Sequence, residues 1–339
     1  MAAPPTAVLF LTHFANAEVL RRFGLLQRAL GGRHRVFYAQ DLLSSVAHRR
    51  ITRDLEPDLF LFDRALLKRL PYERAREPWE GASVVPGRVD LVPQLFRRLH
   101  PGFERIYLVE HDVVCGEDWR RVFDILDESP ADLLATNVTR RDEHPRWNLW
   151  RELQTPGRPL PPADRQARAL LAFCRYSRQA LLALEAAYAE GWRGHFEALV
   201  PTVCLAAGLG VEDIGGEGPF VPPGRERRFY WSDRLVVQHQ PAAGTFVYRP
   251  AQVPVAGEKW LWHPVKVSPA FDWSHRVRRW RHGHVDRAAI FAEMEKKLAE
   301  YRPNPPLPLS PAALARGLPA RSSTESPLSR EAGEGREGG

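Results

Sequence analysis

Short apolar runs and longer amphipathic stretches take turns along the first 140 residues. Residues 7–14 and 35–39 are β-rich and predict strands. Between them, residues 17–30 place Val19, Phe23, Leu26 and Leu30 on one helical stripe, and Gly31 and Gly32 end it. A third strand is predicted over 58–62, followed by a basic helical stretch over 64–70. Residues 90–100 predict a helix closed by Pro101 and Gly102, and 105–109 a strongly β-patterned strand. A helix over 117–126 and a strand over 132–136 continue the alternation. Strand alternating with helix argues for an α/β sheet with crossover helices. Open sheets of that kind bind ligands outside the carboxyl ends of their strands, so the search for chemistry starts there.

The rest of the chain reads differently. Residues 140–165 are polar and proline-rich and predict a long surface excursion that contains Trp147 and Trp150. A strand over 170–176 precedes an amphipathic helix over 177–191, carrying Leu181, Leu182, Leu184 and Tyr188. A second helix over 197–207 is expected to be interrupted by Pro201. From about residue 215 glycine, proline and tryptophan dominate, with Trp231, Trp260, Trp262, Trp273 and Trp280. Residues 286–301 predict a terminal amphipathic helix. Beyond Pro303 the composition collapses to Pro, Ser, Gly, Arg and Glu, which predicts disorder over 303–339.

Composition narrows the classes. A chain of 339 residues that is 44% hydrophobic and 26% charged can bury a core, so wholesale disorder is excluded. The longest uninterrupted apolar run, 169–174, has six residues. A bilayer-spanning helix needs roughly 20, so no transmembrane segment is expected. Residues 7–11 lack a cationic lead-in and a long apolar region and so predict a strand rather than a signal peptide. The expected address is cytoplasmic, with peripheral attachment at the inner membrane as the alternative. Cys115, Cys174 and Cys204 are odd in number and without C-x-x-C spacing, which suits buried thiols rather than disulfides or a zinc site. The net charge of +7 is carried almost entirely by arginine, which favours an anionic ligand. Those arginines are scattered along the chain, whereas a nucleic-acid reader clusters them, so no nucleic-acid partner is expected. Neither G-x-G-x-x-G nor a Walker A pattern occurs, which counts against a dinucleotide enzyme and a P-loop NTPase.

The sharpest chemical feature is Ile106-Tyr107-Leu108-Val109-Glu110-His111-Asp112-Val113, an apolar strand that delivers two carboxylates one residue apart. Alternate residues of an extended chain share a face, so Glu110 and Asp112 can converge while His111 points elsewhere. Two convergent hard oxygens suit Mg²⁺ or Mn²⁺, whose shell is typically completed by water and substrate phosphates. The same pattern also describes a solvated acidic strand end.

At this point the chain resembles GT-A-fold glycosyltransferases, which use nucleotide-sugar donors. It is most similar to a bacterial subgroup with three blocks in this order: E-x-D-V followed by a Trp (110–119), G-H-x-E followed by P-T (194–202), and H-P-V-K (263–266). This resemblance extends over most of residues 7–270. It implies a GT-A-like mixed sheet flanked by helices, forming a single catalytic domain over 5–302. Residues 5–140 would be the nucleotide-sugar half and 141–302 the acceptor half. It further implies a UDP- or GDP-sugar donor, a hydroxyl-bearing glycan or lipid-linked acceptor, and Mn²⁺ or Mg²⁺. Glu in place of the first Asp and His111 in the middle depart from the family pattern.

Under that resemblance Glu197, in the first turn of its helix, is a general-base candidate, since sugar hydroxyls are poor nucleophiles at neutral pH. An acidic residue there also complements the helix dipole with no catalytic purpose. Asp213 is the competing base. His263 is implied as a third metal ligand, with packing beside Trp262 as the alternative, and Lys266 as a cation for the departing diphosphate. Thr12, His13 and Asn16 follow the first strand, and Asp41 and Asp63 the second and third. All five are nucleotide-contact candidates that serve equally as turn or capping residues. Trp147, Trp150, Trp192 and Trp231 are either acceptor-stacking surfaces or core residues. Two other functions stay open: a non-catalytic carbohydrate- or nucleotide-binding protein, and a sugar-phosphate nucleotidyltransferase. The latter is disfavoured by the absence of a glycine-rich signature at 11–14.

Overall fold

The computed structural model describes residues 5–42, 58–76, 88–233, 242–248 and 257–266. In chain order its strands are β1 (Thr6–Thr12), β2 (Arg35–Asp41), β3 (Leu59–Phe62), β4 (Arg105–Glu110), β5 (Val114–Cys115), β6 (Leu133–Arg140), β7 (Ala167–Ser177), β8 (Val211–Asp213) and β9 (Leu261–Trp262). The α-helices are α1 (Ala17–Leu30), α2 (Arg64–Leu67), α3 (Leu91–Leu99), α4 (Trp119–Asp127), α5 (Arg178–Ala189) and α6 (Phe196–Ala206). Seven strands form one mixed sheet in the order β3-β2-β1-β4-β7-β6-β8. The first four are mutually parallel, β7 runs antiparallel to both neighbours, and β8 is parallel to β6. The α/β class and the helix-flanked mixed sheet are thus as expected.

The period-2 pattern of the strands explains the layers. β1 sends Ala7, Leu9 and Leu11 to one face, where Leu67, Leu95, Leu181 and Leu199 from α2, α3, α5 and α6 cover them. It sends Val8 and Phe10 to the other, against Val19 and Phe23 of α1 and Val122 and Phe123 of α4. Strands buried on both faces read as continuous apolar runs. In β4 the same alternation puts Ile106 and Leu108 on the α6 side, and Tyr107 and Val109 on the α1 side. Continued by one residue, it directs Glu110 toward α6.

Local signals placed several boundaries well. α1 spans 17–30 as predicted, buries the predicted stripe, and is capped by the Asn16 side chain, which accepts from Val19 N at 2.9 Å. Others need correction. The basic stretch 64–70 is helical only to Leu67. α6 is not interrupted: Pro201 is its sixth residue and forfeits a single bond, to the Glu197 carbonyl, in a helix whose apolar side chains are almost all buried. Residues 140–165 do run along the surface, as expected, with most positions exposed, but a few side chains turn inward from them. Trp147 and Trp150 meet edge-on at 5.1 Å and, with Leu149 and Ala198, make a small core of their own, in which the Trp150 indole donates to the His144 carbonyl at 2.9 Å. The predicted helix 286–301, the tail 303–339, Trp273 and Trp280 lie outside the described residues.

Candidate metal and acid–base site

The carboxyl ends of β1, β2, β3 and β4 lie on one edge of the sheet, and most of the residues singled out in the first half of the chain gather there. Three of them resolve into local structure. Thr12 turns its hydroxyl onto the Phe14 carbonyl at 2.7 Å, Asn16 caps α1, and Asp63 caps α2 by accepting from Leu66 N at 2.7 Å. For these the turn and cap readings hold, and their side chains are spent on the backbone. Asp41 is fully buried at the end of β2. It faces His13 closely enough to favour that ring's proton, yet burial dominates and lowers the His13 pKa.

Beyond β4 the backbone turns, and Glu110, Asp112 and His263 come together with one ligand atom from each within 4.8 Å of the others. His263 Nε2 lies 3.6 Å from Asp112 Oδ1 and 3.8 Å from Glu110 Oε2. What brings position 263 to position 110 is a second, two-stranded sheet: β5 pairs antiparallel with β9, Val114 opposite Trp262 and Cys115 opposite Leu261. Val265 N then donates to the Asp112 carbonyl at 2.8 Å, closing the segment over the turn. Gly116 is required at this junction, because a Cβ there would sit 1.9 Å from the Glu258 carbonyl oxygen.

The donor set fits a hard divalent cation. His263 Nδ1 lies 3.1 Å from the Val247 carbonyl, an acceptor only, so Nδ1 carries the proton and Nε2 faces the carboxylates. Asp112 Oδ1 is buried without a hydrogen bond, an orphaned anionic oxygen that a cation would satisfy. Burial would raise the Asp112 carboxyl, but His263, His111 and Lys266 together hold it well below the usual carboxylate range. Burial likewise works against the His263 imidazolium, and the carboxylates of Asp112 and Glu110 outweigh it, raising that pKa. Lys266 donates from Nζ to Asp112 Oδ2 at 2.7 Å while the rest of its side chain is 76% exposed. His111 turns away toward Phe14 and His13, and burial pushes its pKa down to about 4.

A cleft of about 360 Å³ opens beside this cluster, lined by Glu110, His263 and Lys266 together with His195, Glu197 and Tyr248, over a floor of Leu170, Leu171 and Ala172 on β7. Glu197, at the start of α6, is the one charged residue in that helix, whose other residues are apolar apart from Thr202. Burial, reinforced by the like charge of Glu110 and only partly offset by Arg168, pushes its carboxyl up to about 7. His195 caps the helix by position, with Nδ1 3.7 Å from Glu197 Oε2. Burial, then the Arg74 charge, lowers its pKa to about 4, so this ring is neutral.

The backbone that presents Glu197 is held from both ends. Gly194 adopts φ +140°, and a Cβ there would meet the backbone of Glu152 and Leu153 at 2.8 Å. Its carbonyl accepts from Arg74 Nη1 at 2.7 Å. Arg74 is in turn fixed by a buried pair with Asp90 at 2.7 Å, and the Tyr188 hydroxyl donates to the same carboxylate at 2.6 Å. Farther along α6, the Thr202 hydroxyl both donates to the Ala167 carbonyl and accepts from Ala167 N, tying the helix to β7. Breaking a buried ion pair by removing one partner costs about 3–5 kcal/mol, because the other charge is left uncompensated. Asp90→Asn is accordingly expected to lower the free energy of unfolding by a comparable amount, read as a lower urea midpoint at unchanged m. A midpoint within error of the parent protein would show that the pair is idle.

Asp213, the competing base, does not line this cleft. It is fully buried, and its two oxygens accept from Gly215 N, Gly216 N, Val138 N and the Tyr230 hydroxyl. A carboxylate with four donors is an anchor for the loop after β8, and it has no lone pair aimed at an acceptor. Trp147, Trp150 and Trp192 are buried, and Trp231 is half-buried. His195, Arg74 and Asp90 were not singled out as site residues by the sequence. His195 lies inside the second block and had a usable signal there, whereas Arg74 and Asp90 carry none among so many scattered charges. No helix among the described residues is long and apolar enough to cross a membrane.

No protein-family model and no curated protein matches the chain. Among solved structures, mouse xyloside xylosyltransferase 1 in its apo form is similar at 15% identity and a TM-score of 0.30, over 60% of this chain and 80% of that one. The galactosyltransferase LgtC, in complex with donor and acceptor sugar analogues, is similar at 11% identity and a TM-score of 0.26, over 50% of this chain and 57% of that one.

Proposed function

We propose that the chain is a divalent-metal-dependent glycosyltransferase, moving a sugar from a UDP- or GDP-sugar to a hydroxyl of a glycan or lipid-linked acceptor. The observation that carries this reading is a single cleft lined both by Glu110 and His263 of a hard-ligand cluster, with Asp112 behind them, and by a buried carboxyl poised near neutrality. Glu110, Asp112 and His263 would hold Mn²⁺ or Mg²⁺, which when bound supplies positive charge against the donor's diphosphate. Lys266 adds a second, exposed cation at the same wall, where negative charge develops on the leaving group.

On the opposite side of the reacting carbon, a Glu197 carboxylate oxygen accepts the proton of the acceptor hydroxyl. The hydroxyl oxygen forms its bond to the anomeric carbon as the bond from that carbon to the diphosphate breaks, and the electron pair leaves with the nucleoside diphosphate. A direct displacement of this kind inverts the anomeric centre. Residues 5–302 would form the catalytic unit, with the donor on the side of the first 140 residues.

A thermal-shift panel of UDP, GDP and their sugars, with and without Mn²⁺, tests this assignment. A ligand that binds the native state raises its melting temperature by mass action, by about 2.7 kcal/mol of stability at 100 times Kd. A Mn²⁺-dependent response to UDP or GDP is expected. The absence of any response to nucleotides in either condition would remove the donor class.

A further inference from the structure

Arg22 on α1 reaches the metal cluster from outside it. Its Nη1 donates to the His111 carbonyl at 3.1 Å and to the Val265 carbonyl at 2.9 Å. The first carbonyl lies between Glu110 and Asp112, and the second lies two residues beyond His263. One nitrogen with two hydrogens thus links the two backbone segments that carry the ligand set, which lie about 150 positions apart in the chain. The guanidinium is itself fixed, because its Nε donates to Glu18 Oε1 at 2.8 Å one turn earlier on the same helix. Only 12% of its side chain is exposed. α1 is anchored in turn by its Asn16 cap and by buried Val19, Phe23, Leu26 and Leu30.

We infer that Arg22 is a positioning residue for the metal site: it locks the turn bearing Glu110 and Asp112 to the segment bearing His263, and so sets the spacing of the three ligands. The inference rests on the metal reading above. Beyond the β5–β9 pairing, hydrogen bonds among the described residues that link these segments near the ligands include the Val265 N bond to the Asp112 carbonyl, the Lys266 Nζ bond to Asp112 Oδ2 and the Arg22 fork. The fork is the one that anchors both segments to a third, rigid element. Arginine suits the task because its charge is permanent and its donors are held in a plane, so two carbonyls are bridged with little loss of rotamer freedom.

The test is direct titration of Mn²⁺ without nucleotide, followed by the electron paramagnetic resonance of the free ion, alongside the melting temperature of the metal-free protein. Groups that orient ligands from outside the coordination shell typically change metal affinity by about 10–100-fold. Arg22→Met is expected to weaken the Mn²⁺ Kd by that factor, and Arg22→Lys, which keeps a cation with several donors, to recover part of it. Val19→Ala, which loosens the core under the same helix without touching the fork, is expected to lower the melting temperature and leave the Kd unchanged. A folded Arg22→Met protein with the parent Kd overturns the inference, as does a Kd loss in Val19→Ala equal to that in Arg22→Met. If Arg22→Met does not fold, Arg22→Gln, which keeps too few donors for both carbonyls and Glu18, is read in the same way. Failure of the parent protein to bind Mn²⁺ at all is a different result: it removes the metal reading itself, and this inference with it.

Discussion

Asp112→Asn is expected to abolish Mn²⁺-dependent release of nucleoside diphosphate from a UDP- or GDP-sugar, a loss of at least about 100-fold if one charge-stabilising group is removed. The substitution keeps the shape of the side chain and takes away its charge, so the orphaned Oδ1 no longer offers an anion to a cation. Lys266 loses its partner but is mostly in solvent, and the fold is expected to tolerate the change. Slow hydrolysis of the donor by water is sufficient as an assay, because it needs no knowledge of the acceptor. Undiminished, still metal-dependent release by Asp112→Asn would falsify the metal assignment. Nucleotide binding without turnover by the parent protein, across a broad panel of donors and acceptors, would favour a non-catalytic binding protein.

The second large effect is at Glu197. Glu197→Gln is expected to lower turnover by about 10²–10⁴-fold, the usual contribution of a positioned general base. With the carboxyl pushed up to about 7, the fraction in the basic form grows with pH, so the parent rate should climb through about pH 7 and level off above it. The variant should lack that limb. Stability moves the other way. Because the folded-state pKa exceeds the ordinary value of 4.5, the native state binds more protons than the unfolded chain between those two values, and stability is lost as pH rises through that window. Glutamine removes this penalty. At pH 8 the variant is therefore expected to be more stable than the parent by on the order of 1–3 kcal/mol, and at pH 4 the two should coincide. Equal activity, or the same pH dependence of melting in both proteins, would reject Glu197 as a buried base. A substitution that stabilises while it inactivates is the signature of a group retained for function at the expense of the fold.

Much of the scaffold was legible because it is built from local periodicity. The stripe of Val19, Phe23, Leu26 and Leu30 belongs to one helix, and its spacing is a property of consecutive residues. The buried strands β1, β2 and β4 declare themselves as apolar runs, and the acidic pair at 110 and 112 marks where one of them ends. Less was legible where burial was decided by distant partners. The polar, proline-rich stretch 140–165 does run along the surface, but which of its residues turn inward was set by Ala198, far away in the chain, against which Trp147 and Trp150 pack. Pro201 looked like a break, but the packing of α6 on β7 outweighs one lost hydrogen bond. β8 has three residues, and β5 and β9 two each, too short for any periodic signal.

The sequence by itself determined the layered α/β class, the extent of α1, and the residue types from which a metal and acid–base site is assembled, since each of these follows from side-chain chemistry and near-neighbour spacing. Only the tertiary structure decided which of those residues meet. β5–β9 pairing carries His263 to Glu110 and Asp112 while Asp213, equally acidic on paper, is consumed by four donors. It also decided the state in which they meet. The same carboxyl group is held low at Asp112 by its histidine and lysine neighbours and raised at Glu197 by burial, a difference of environment that residue type does not encode.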